Sequence, residues 1–112
     1  MTNAPNLFVV VLTYVAPLDE VDAAGKDHVA WLERGYDRGV FLASGRRVPR
    51  TGGIILASAA SMEEVQAWMR QDPFQSRGLA TAEVFPFEVN MMSGGMKAAI
   101  AAAVQLGANE KH

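Results

Sequence analysis

Two short runs constrain this chain more than any other feature. Leu7 to Leu12 (LFVVVL) and Gly53 to Ser58 (GIILAS) are apolar at nearly every position. Both have strand length, and a strand apolar on both sides needs cover on both faces. After each comes a segment of helical period, and then a further strand-like run. The order reads βαββαβ with a tail.

Thr13-Tyr14-Val15 continues the first run and Pro17 ends it. Asp19 is placed to cap a helix running to about Arg38, with Val21, Ala24, His28 and Leu32 on one face. Gly25 and Gly35 weaken that helix by up to about 1 kcal/mol each, and Gly39 suits its C-terminal end. Val40 to Ser44 is a second strand. Gly45 to Gly52 is a polar loop with Arg46, Arg47 and Arg50, which predicts a mobile segment. Beyond the third strand, Ser61 and Glu64 form a capping box for a helix with Met62, Val65, Trp68 and Met69 on one face. Asp72-Pro73 ends it, because proline pushes the preceding residue away from helical angles. Phe74 to Gly78 is a connector. Thr81 to Asn90 is the fourth strand, and Pro86 within it predicts a sheet edge. Residues 96–107 are alanine-rich and predict a terminal helix, with a frayed end over Asn109 to His112.

This is the pattern of a split βαβ, ferredoxin-like α+β fold: four antiparallel strands with two helices on one face. Two helices leave the other face open, although the first and third strands ask for it to be buried. The tail helix folding over it is one solution. A second subunit packing sheet against sheet, near 10 Å away, is the other, and gives a dimeric α/β barrel. With 112 residues and 12.0 kDa, one domain over 1–112 is expected, its core at about 7–90 and its tail helix at 96–107.

The charge of -2 and the absence of a basic stripe argue against nucleic-acid binding. Without cysteine there is no disulfide, thiolate metal site or cysteine nucleophile. Two histidines, one of them His112, offer no metal-ligand spacing, so neither a metal nor a cofactor is expected. The apolar run after Asn6 is too short for a signal segment or a membrane span, and no basic residues precede it. The expectation is a soluble cytoplasmic protein.

His28 is the one internal histidine. It reads either as a core histidine bonded to a backbone carbonyl or as a proton-transfer group, since imidazole titrates near neutrality. Asp72 reads either as a turn residue before proline or as the partner of His28. A carboxylate at the end of a helix meets the negative pole of the dipole, so a cationic neighbour would offset that cost. Spacing permits the two to meet, and the expectation is hydrogen-bond contact or one bridging water. Ser44 is a strand-end hydroxyl or a nucleophile, but it lacks the G-x-S-x-G elbow. Arg46 and Arg50 are either a solvated basic loop or contacts for an anionic substrate. Gly52-Gly53 opens a strand and so is no phosphate loop. Met91, Met92 and Met96 read as packing filler.

Together, His28, the run Gly39-Val40-Phe41-Leu42-Ala43-Ser44-Gly45, Gly52-Gly53-Ile54-Ile55-Leu56, Asp72-Pro73-Phe74 and Gly78-Leu79 resemble the YciI-like (YCII-related) family. The resemblance covers Leu7 to Val89. It implies a ferredoxin-like subunit assembled as a dimeric α/β barrel, a homodimer or higher oligomer, with His28 and Asp72 in a pocket. It further implies a small-molecule enzyme using that pair for elimination or isomerisation on an aromatic or lactone-like substrate; Ser44, Arg46 and Arg50 are the substrate contacts expected from the residues themselves. A non-catalytic binding or stress-associated module and a dimerisation scaffold are the alternatives. One departure stands out: many members have Gly-Pro after the second strand, and this chain has Gly45-Arg46.

Overall fold

A computed structural model describes residues 6–110. The start of the chain, residues 1–5, and its last two residues lie outside the described part. The elements run β1 (Asn6–Tyr14), α1 (Leu18–Ala23), α2 (Gly25–Asp37), β2 (Phe41–Arg46), β3 (Gly52–Ala59), α3 (Met62–Met69), α4 (Pro73–Ser76), β4 (Ala80–Glu88) and α5 (Gly94–Glu110). The sheet has the order β2-β3-β1-β4 with every pair antiparallel. This is the ferredoxin-like α+β arrangement that the run order predicts. The two all-apolar strands are its central pair. Pro86 sits on β4, an edge strand, where a missing N–H costs least.

Alternation assigns the two faces. Phe8, Val10, Leu12, Ile55 and Ala57 share one face and form the core with Trp31, Phe41, Val65 and Met69. Val9 pairs with Leu56 and Phe85, and Val11 with Ile54 and Glu83, on the other face. There Ile54, Phe85 and Phe87 are exposed, whereas Leu7 and Ser58, paired at one end, are buried. The tail helix α5 packs against β2 and β3 and buries Ile100 and Ala103, while Val104 and Leu106 stay exposed. The outer face is closed at one end only.

Several expectations give way to local chemistry. The single helix from Asp19 is two helices. Pro17 is the N-cap, with φ -60, and no side chain caps the first turn. Asp19 falls inside that turn, where its charge faces the positive pole of the helix. At Ala24 the N–H turns back to the Val21 carbonyl at 3.1 Å, a tightened turn that separates α1 from α2. The reset brings Trp31 inward to full burial at the centre of the core. The connector after Asp72 is a short helix, α4, because Pro73 occupies its first position and Asp72 caps it.

The arginine loop is shorter than expected, since β2 continues to Arg46. It is tied on both sides: Arg47 donates to Thr13 Oγ1 at 3.1 Å, Arg50 to Asp22, and the Tyr14 N–H to the Thr51 carbonyl. These bonds link the loop to β1 and α1. No helix among the described residues is long and apolar enough to cross a membrane.

Candidate functional site

The site begins with how α3 ends. The Asp72 N–H donates to the Met69 carbonyl at 3.1 Å, and the chain then turns into α4. Asp72 Oδ1 accepts the Phe74 N–H at 3.0 Å, so the cap bond fixes the carboxylate direction. That direction is toward α2. His28 Nδ1 lies 2.7 Å from the same Oδ1. The structure thus brings the two sequence candidates together, but for another reason than the dipole argument supplies. Asp72 stands at the start of α4, the favourable pole, and its cap bond aims it.

Asp72 is fully buried and His28 is 13% exposed at its side chain. Oδ1 already accepts an amide proton, so its bond to Nδ1 calls for a proton on the imidazole nitrogen. Nε2 is then the ring nitrogen with a free lone pair in neutral histidine. Phe74 lies flat on the His28 ring, centroids 3.8 Å apart and 8° from parallel. Tyr14 meets Phe74 edge-on at 5.9 Å. The imidazole is held in plane by stacking and in direction by the carboxylate. The second oxygen, Asp72 Oδ2, is buried with no hydrogen-bond partner among the described residues.

His28 and Phe74 wall a cavity of about 450 Å3 between the helix-bearing face of the sheet and α1 and α2. Leu12, Leu32 and Ile55 supply apolar wall. Ser44 and Arg46 also line it, because they pair with Ile55 and Gly53 and so point to the helix side of β2. Arg50 enters from the loop. Its Nη2 lies 2.5 Å from Asp22 Oδ1, and its guanidinium sits 5.8 Å from the centre of the Tyr14 ring. The hydrogen bond from Arg50 holds the Asp22 carboxyl below its ordinary value, aided by the charges of Arg50 and Arg46. The same bond raises Arg50 above its usual range. Ser44 Oγ is 2.5 Å from the Tyr36 hydroxyl.

Asp72 stands behind His28, outside the wall. The other four sequence candidates, His28, Ser44, Arg46 and Arg50, line one cavity. Sequence reasoning passes over Phe74, Tyr14, Asp22 and Tyr36. Tyr36 has a legible signal, being one helical turn beyond Leu32. The others depend on the tertiary fold. Among the described residues, no group of three or more His, Cys, Asp or Glu is placed to hold a metal ion.

The YCII-related domain matches residues 7–88, which include all five candidates. The chain belongs to the YCII-related family. Among solved structures, 5-chloro-2-hydroxyhydroquinone dehydrochlorinase (TftG) from Burkholderia phenoliruptrix AC1100, in complex with 2,5-dihydroxybenzoquinone, aligns with TM-score 0.62 at 20% identity. The alignment covers 77% of this YCII-related chain and 95% of that chain, and it shows a common fold. SnoaB, a cofactor-independent oxygenase from Streptomyces nogalater, aligns with TM-score 0.48 at 16% identity, over 81% of this chain and 98% of that one. A dimeric ferredoxin-like protein from an uncultured marine organism aligns with TM-score 0.46 at 16% identity, over 80% and 99%. No curated relative matches this chain.

Proposed function

We propose that this YCII-related protein is a small-molecule enzyme in which His28 is the general acid–base and Asp72 its orienting partner. One observation carries the reading. The His28 Nδ1 is committed to buried Asp72 at 2.7 Å, while the ring forms part of the wall of a cavity sized for a small organic ligand. A buried carboxylate that fixes the tautomer leaves Nε2 as the nitrogen for a substrate proton, which supports general-base chemistry.

The chemistry starts with Nε2 taking a proton from a carbon made acidic by a neighbouring carbonyl or an electron-poor ring. In isomerisation the imidazolium returns that proton at another carbon. In elimination the electron pair of the broken C–H bond forms the new double bond and expels the leaving group with its own pair. TftG, which shares the fold, is named for an elimination of this kind. Ser44, Arg46 and Arg50 contact the substrate across the cavity from the imidazole. The same reading makes the exposed half of the outer sheet face the contact between two copies of the chain.

The test is solvent exchange. Hydroxyquinols and unsaturated lactones are incubated with the protein in deuterium oxide, and C–H exchange or leaving-group release is followed by NMR. The expected result is exchange in the wild type that falls by about 10²–10⁴-fold in His28→Gln. Exchange that survives His28→Gln undiminished overturns the assignment.

A further inference from the structure

The pocket and the chain differ in sign of charge. The whole chain carries -2, yet the cavity wall holds Lys26, Arg46 and Arg50 against the single carboxylate of Asp22. Cations gathered around one concavity repel each other and raise the local concentration of anions. Asp22 answers only part of that excess, through its bond to Arg50 Nη2 at 2.5 Å. The Arg46 side chain makes no hydrogen bond or ion pair among the described residues, although β2 turns it into the cavity beside Ser44. Arg50 Nε is buried with no hydrogen-bond partner among the described residues.

The Asp22–Arg50 bond also spans two elements. Asp22 belongs to α1 and Arg50 to the β2–β3 loop, so the contact bridges two sides of the cavity. The Asp22 side chain is 59% exposed, so it can return to water at little cost. We propose that the cavity takes a small planar organic acid whose carboxylate or phenolate seats on Arg50 and Arg46, and that Asp22 is the built-in competitor holding that seat in the empty protein. This rests on the acid–base reading of His28, and adds the charge and orientation of the substrate to it.

Planarity follows from the imidazole, held flat on Phe74, and from the Tyr14 ring, which meets Phe74 edge-on and lines the same cavity. The acid follows from guanidinium geometry, whose fork matches a carboxylate and is weakly hydrated. Asp22 occupies Nη2, so a ligand acid that seats on that edge of Arg50 displaces it. The Ser44 hydroxyl, held by Tyr36, supplies a neutral hydrogen bond on the same strand as Arg46. The acid end is thereby fixed on one wall and the reacting carbon faces His28.

The probes are benzoate and its neutral isostere benzamide, titrated calorimetrically into the full chain while the His28 ring signals are followed by NMR. Benzoate is expected to bind at least about tenfold tighter than benzamide, to shift the His28 signals, and to weaken with salt. Asp22→Asn is expected to tighten benzoate about threefold or more and to leave benzamide unchanged. Arg46→Gln is expected to weaken benzoate by about tenfold. No saturable benzoate binding, equal affinity for the two probes, or benzoate binding unchanged or weakened in Asp22→Asn each overturns the proposal. His28→Gln separates it from the reading beneath it. Loss of exchange chemistry with benzoate affinity within about twofold supports both. Retained chemistry with the same preference for benzoate removes the role of His28 and leaves the acid seat standing.

Discussion

Asp72 accepts two hydrogen bonds on one oxygen and none on the other. Removing the side chain strands the Phe74 N–H and the His28 Nδ1–H in a buried place, and each unpaired donor costs about 1–3 kcal/mol. Asp72→Ala should therefore lower the unfolding free energy by at least that amount, read from urea denaturation. Asp72→Asn keeps an acceptor at Oδ1 and should cost less; equal losses in the two variants would show that the paired oxygen is not what matters. A second prediction concerns pH. Asp22 is held below its ordinary value of 3.8, chiefly by the Arg50 bond. A depressed carboxyl stabilises the fold above its unfolded value, and that contribution disappears as pH falls through the folded value. Carbon-detected NMR titration should place Asp22 below 3.8 in the wild type and move it up in Arg50→Gln. At this scale the sequence is legible only in part. Spacing alone leaves the meeting of His28 and Asp72 open, because neither helix start nor helix end is fixed by periodicity. The cap bond to Phe74 aims the carboxylate, and it depends on α4, a helix of four residues too short to register as a period.

Elements show where local signals suffice and where they do not. The cap at Ser61 is written in the sequence, since the Glu64 N–H donates to Ser61 Oγ at 3.2 Å, but the return bond shifts by one residue: Glu64 Oε1 accepts the Ala60 N–H at 3.0 Å instead of that of Ser61. The β-strands are legible because their apolar runs have no other stable home. The break between α1 and α2 is legible only as a weak point at Gly25, because a single glycine lowers helix propensity without fixing where the turn tightens. Gly39 is the most constrained joint. Its φ of 75 closes α2, and a Cβ built there would strike the Ala103 carbonyl of α5. Gly39→Ala must therefore both strain the turn and push α5 away from β2. The expected cost is about 1–3 kcal/mol, with faster amide exchange in α5 than in the sheet. Unchanged exchange in α5 would mean that its docking does not run through this contact.

At the scale of the whole molecule, the unresolved matter of packing is the outer sheet face. Val9, Val11 and Leu56 are half-buried there, and Phe85 and Phe87 remain 49% and 46% exposed. Register places Phe85 beside Val9 and Phe87 beside Leu7, so the aromatic rings form one end of a continuous apolar band. The band's other rows run through Val11 and Ile54. α5 does not remove this exposure, since among its described side chains only Ile100 and Ala103 are buried and it packs on β2 and β3, away from β4. A band of this kind facing water is unfavourable, roughly 25 cal/mol for each Å2 left uncovered, and a second copy related by a two-fold axis would cover it with itself. The prediction follows from the chain mass of 12.0 kDa. Sedimentation equilibrium at micromolar concentration should give about 24 kDa, as a closed pair requires. Phe85→Lys places a charge at the aromatic end of the band and on an edge strand, where lysine is well tolerated by the monomer. It should shift the equilibrium to the single chain without unfolding it, with near-native circular dichroism. A wild-type mass of one chain, or a Phe85→Lys variant that remains paired, would show that the two sheets do not meet across this face.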